Sequence, residues 1–153
     1  MSTVYTLFKF LHIVGAIGWI GGVVTFSILS ARIAREHDQA VLATVTELMR
    51  INGMAVIGPA SGLTLIAGIV MLAVSELGVP LWVIWGFAAI IVSVALGIAL
   101  IGRTSKELRA GAAAAEPGEP RLNALRRRLV VLNSINVLVL LSAEWAMVFK
   151  PAL

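Results

Sequence analysis

The chain has no cysteine among its 153 residues. That removes disulfides, thiolate metal sites and iron–sulfur clusters from consideration. A second absence shapes the fold. Four long runs, Phe10–Ala31 (22 residues), Ile51–Ser75 (25), Leu77–Gly102 (26) and Leu129–Phe149 (21), contain one charged side chain between them, Glu144. A helix at a water interface needs a polar face, and these runs have none. Motifs for several enzyme classes are also missing: no phosphate-cradling glycine loop, no HExxH zinc pattern, no nucleophile with a histidine base.

Each run is long enough to cross a hydrocarbon layer of about 30 Å, which takes roughly 20 apolar residues. With 59% apolar residues and a mean hydropathy of +0.99, the expected fold is an all-α, integral membrane four-helix bundle in a single domain. Its spans are placed at about 5–31, 52–75, 80–102 and 129–149, with connections 32–51 and 103–128. The first run reads as a retained helix. Lys9 is its only preceding cation, and no small-x-small cleavage site follows it.

The net charge of +4 does not point to nucleic acid, because the cations gather between the spans. Connection 32–51 carries Arg32, Arg35 and Arg50. Connection 103–128 carries Arg103, Lys106, Arg109, Arg121 and Arg126–Arg128. Only Lys9 and Lys150 fall at the other end. The positive-inside rule then places both connections in the cytoplasm and both termini outside. The expected location is a bacterial inner membrane.

Within the runs, glycine and other small residues mark close packing. His12, Gly15, Trp19 and Gly22 share one face of the first span. Ala60, Thr64 and Gly68 form a stripe on the second, and Ala89, Ser93 and Gly97 one on the third. Such stripes suit docking to other membrane helices, in a homo-oligomer or a larger complex. Pro59 is expected to kink or loosen the second span. The stretch 30–52 reads as a helix that extends the first span or lies on the membrane surface. Trp82, Trp85 and Trp145 suit an outer interfacial belt.

Ionisable groups inside a bilayer are costly and generally functional. His12 lies about seven residues into the first span. Imidazole there needs a partner, and neutral histidine is a frequent metal and haem ligand. Glu144 lies in the outer half of the last span, on a polar stripe with Asn133 and Asn136. A carboxylate facing lipid is unfavourable, so the stripe is expected to face the bundle. Met71 and Met147 fall at similar depth and with His12 would make a soft ligand set for Cu(I). His37 sits among charges at the cytoplasmic edge. The two histidines therefore lie near opposite membrane faces and could not jointly ligate one haem within a subunit.

The run LHIVGAIGWIGG (Leu11–Gly22), the run GPASGLTLIAG (Gly58–Gly68) and the terminal Asn133 with Lys150–Pro151 resemble, in order and spacing, small four-helix membrane proteins. These include the CopD-like copper-resistance domain and HemJ-type protoporphyrinogen oxidase. The resemblance implies the four-helix fold and a haem b site using His12. It does not extend to oxidase activity, because the His and Lys of the HemJ-type third helix have no counterpart between Leu81 and Gly102. The resulting expectation is a haem-binding or redox-accessory membrane protein. His12 would be the axial ligand, Trp19 would pack beside the site, and Asn136 and Glu144 would supply polarity. The alternatives are a non-catalytic structural subunit, or copper or proton transport.

Overall fold

The computed structural model describes residues 3–33, 35, 38–75, 78–112 and 120–150. His37, segment 113–119 and Pro151 lie outside them. The described residues are helical apart from short connections, with no strand among them. In hydrocarbon every backbone amide needs an internal partner, and a helix supplies it within one segment.

The helices are α1 (Thr3–Ile33), α2 (Gln39–Asn52), α3 (Gly58–Val74), α4 (Leu81–Ala95), α5 (Arg103–Ala112) and α6 (Pro120–Phe149). α2 and α3 form one continuous rod, Ala40–Val74, and α4 and α5 another, Leu81–Gly111. Each rod contains a π-helical turn, Gly53–Ile57 in the first and Leu96–Gly102 in the second. Together with α1 and α6 they make four helices long and apolar enough to span a membrane.

The stretch 39–52 therefore extends the second span. It neither continues the first nor stands as a separate surface helix. The reason is local. α1 ends at Ile33, and Asp38 starts a new helix by accepting from the amides of Ala40 and Val41, the usual N-cap device. Pro59, with no N–H and a ring that crowds the preceding turn, lies at the start of α3. The helix passes it by widening, and the Gly58 amide reaches back five residues to the Gly53 carbonyl.

At 31 residues, α1 is about 46 Å long and outreaches the hydrocarbon. The excess length of all four rods gathers at the end carrying α2 and α5, here the basic end. Phe26, Ile33, Leu42, Met49, Leu108, Leu122 and Leu129 pack there into one core. A smaller core of Trp19, Val23, Ile90 and Leu140 lies mid-bundle. Between α1 and α6, the Asn133 amide donates to Ser30 Oγ at 2.8 Å, and that hydroxyl donates to the Phe26 carbonyl. Asn133 and Ser30 are buried, so this is a satisfied polar clamp.

α3 packs on α1, α1 on α6, and α6 on α4. α3 and α4 are consecutive in sequence but make no extended contact. The bundle thus has one loosely packed seam, and its cavities are lined from both sides of it.

Candidate functional site

His12 is placed by two small residues. A Cβ on Gly15 would come within 2.6 Å of Thr64 Oγ1 and 2.9 Å of the Thr64 amide. Glycine there lets α1 and α3 approach almost backbone to backbone. One turn before Gly15 on α1, His12 lies against Gly68, where a Cβ would stand 3.3 Å from its ring. The imidazole fills the space left by the missing side chain. Its Nδ1 lies 2.8 Å from the Thr64 carbonyl oxygen. A carbonyl can only accept, so Nδ1 carries the proton and donates. In the neutral ring, Nε2 is then the nitrogen with the free lone pair.

This imidazole lines a cavity of about 610 Å³ at the end of the bundle that carries the termini. All four membrane helices contribute. α1 supplies Tyr5, Lys9, His12, Ala16 and Ile17; α3 supplies Thr64, Leu65, Gly68 and Met71. α4 supplies Trp82, Val83, Phe87 and Ile90; α6 supplies Glu144 and Met147, followed by Lys150. The walls are mostly apolar. Among the described residues nothing hydrogen-bonds or pairs with the Glu144 carboxylate. The Lys150 ammonium lies 5.5 Å from the centre of the Trp82 ring, within cation–π range. Trp85 and Trp145 are exposed at the same end, as an interfacial belt requires.

The first and last spans thus bring His12 and Glu144 to one cavity, with Met71 and Met147 in the same lining. Trp19 and Asn136 are not part of it. They line a second cavity, of about 350 Å³, toward the basic end. The mid-bundle core of Trp19, Ile90 and Leu140 lies between the two levels. The reason is helix pitch. Asn136 and Glu144 share a face of α6 but stand eight residues apart, or about 12 Å along the axis.

At the mouth of the second cavity, Glu47 bonds the Arg50 guanidinium, with Arg109 at 3.8 Å.

Sequence reasoning missed Thr64 as the partner of His12. It marked Thr64 as part of a packing stripe, but the atom that matters is a backbone carbonyl, and no residue type advertises that. The small-residue stripes themselves are largely occupied within the bundle. Gly15 and Gly22 face α3 and the turn before it, and Thr64, Ala89 and Ser93 are buried. Among the described residues no three His, Cys, Asp or Glu side chains converge on a metal position.

Residues 6–151 match the family model described as Predicted integral membrane protein (DUF2269). No curated protein matches the chain, and no solved structure does. The chain belongs to the DUF2269 family.

Proposed function

We propose that this DUF2269 membrane protein binds one haem b in the cavity at its terminal end, with His12 as axial ligand, and serves as a redox or haem-handling accessory. One observation carries the reading. The His12 Nδ1–H is anchored on the Thr64 carbonyl, which leaves Nε2 as a ligand nitrogen on a large apolar cavity. Histidines that bind metals commonly donate their other N–H to a carbonyl or carboxylate, which fixes the ring and its tautomer.

The donor set suits the group. At about 610 Å³ the cavity lies within the usual size of cofactor sites, about 300–1,000 Å³. Its aliphatic and aromatic walls suit a macrocycle. Lys9 and Lys150 offer cations to the two carboxylates a haem carries. Haem supplies one-electron chemistry when bound. The protein residues would hold and tune it: His12 ligates, Thr64 orients His12, and Glu144 holds a carboxyl group in the same cavity. Met71 and Met147 would add thioether surface to the same lining. Trp19 and Asn136 belong to the other cavity and have no part in this site.

Oxidase activity is not part of the proposal, since the α4 segment offers neither His nor Lys to the cavity. Cation distribution supports placing the termini outside and the cavity in the outer half of a bacterial inner membrane.

The test is an absorption spectrum of protein purified from haem-replete cells. A Soret band is expected, along with its loss or displacement in His12→Ala. A protein with no Soret band, or a spectrum unmoved by His12→Ala, would overturn the reading.

A second reading is Cu(I) binding. It is favoured by the presence of both Met71 and Met147 beside His12 in one lining, a soft set that suits this ion. Under it, the purified protein retains copper at one per chain. The copper is lost in the Met71→Leu/Met147→Leu double variant, while a haem site on His12 would survive that change.

A further inference from the structure

The second cavity has a different chemistry. Its walls are apolar, including Phe26, Met49 and Ile57, and it reaches the exposed side chains Met54 and Ile98, one on each side of the α3–α4 seam. It therefore opens sideways toward lipid tails. In its depth sit polar groups with nothing to bond. Asn136 is only 4% exposed, and its Oδ1 has no partner; Ser93, at 2%, has an unpartnered Oγ. The Trp19 indole lies on the same lining.

Unpaired polar groups in a dry interior cost free energy, and their presence calls for a ligand or ordered water. Water would satisfy hydrogen bonds but would not account for apolar walls open to the bilayer. The cations of the lining, Arg50 and Arg109, stand at the mouth beside Glu47, which bonds Arg50 and lies 3.8 Å from Arg109; a charged head does not fit the depth of the cavity, where the unpaired groups are neutral. A ring bearing carbonyl or hydroxyl oxygens on an apolar tail does fit. Asn136 can donate to a carbonyl or, with its amide turned, accept from a hydroxyl. Ser93 can do either, and Trp19 donates.

We infer that this cavity is a binding site for the head of a membrane quinone or quinol, with its tail leaving through the α3–α4 seam. The site is separate from the His12 cavity and does not depend on what that cavity holds.

The test uses the full chain in nanodiscs with Trp82, Trp85 and Trp145 replaced by Phe, so that Trp19 is the only emitter. Decyl-ubiquinone is the probe. Saturable quenching of Trp19 is expected. Its half-saturation should rise about tenfold in Asn136→Leu and by a smaller factor, about threefold, in Ser93→Ala, the scale of one lost hydrogen bond. His12→Ala should leave it unchanged. If Asn136→Leu does not fold, as judged by elution volume, Ser93→Ala carries the test. Quenching that rises linearly with probe and is the same in all variants would mean simple partition into lipid, and would overturn the inference. Saturable quenching lost in His12→Ala would place the probe in the other cavity, with the same consequence. Displacement of the probe by added phosphatidylglycerol would assign the cavity to an anionic lipid head instead, and would also overturn it.

Discussion

At the scale of single residues, the site depends on how closely α1 and α3 approach. Gly15 has no room for a β-carbon against Thr64. Gly15→Val should push the helices apart, cost about 1–3 kcal/mol through overpacking, and pull His12 off the Thr64 carbonyl. The check is a lowered melting temperature in detergent together with loss of any His12-dependent spectrum. Asn133 tests a different contact. It is 1% exposed and bonded to Ser30 and to the Leu129 carbonyl. Asn133→Ala should cost about 1–3 kcal/mol, read as a lower melting temperature, without changing ligand binding at the His12 cavity. Both positions lie on buried helix faces, but only the first reaches the cavity through a direct neighbour of His12.

At the scale of elements, the two π-helical turns set how the apolar rods continue beyond the bilayer. The turn before Pro59 lets α2 continue the same rod while Leu42 and Met49 still reach the basic-end core. Asp38 decides where α2 begins. Asp38→Ala should remove the cap on the Ala40 and Val41 amides and cost roughly 0.5–2 kcal/mol. Faster proteolysis between α1 and α2 would register the frayed start, with the membrane spans themselves left intact. Pro59 was a legible sign that the second span would not be a plain α-helix. The continuity of α2 with α3 was not legible, because residues 39–52 have an amphipathic pattern that fits a surface helix equally well. Only the positions of Leu42, Val45 and Met49 against the α1, α5 and α6 side chains distinguish the two.

At the scale of the whole molecule, the orientation proposed from the cations can be tested cleanly because the natural chain has no cysteine. Thr3→Cys should react with a membrane-impermeant thiol reagent in intact cells. Lys106→Cys should react only after the membrane is opened. The reverse pattern would invert the topology and put the His12 cavity on the cytoplasmic side. The loose α3–α4 seam is also a property of the whole bundle. It arises because α3 takes α1 as its main partner and α4 takes α6, although a short turn joins α3 to α4.

From its sequence alone this chain was expected to be helical with four spans, since four runs of more than twenty residues carry a single charge between them and a helix satisfies its backbone amides within one segment. The same pattern marked His12 and Glu144 as exceptions that had to face the bundle. Which exceptions share a cavity was decided only by the packed helices. His12, Glu144, Met71 and Met147 meet at one level, whereas Trp19 and Asn136 meet at another, because helix pairing and axial offset come from contacts such as Gly15 on Thr64 that no run of hydropathy encodes.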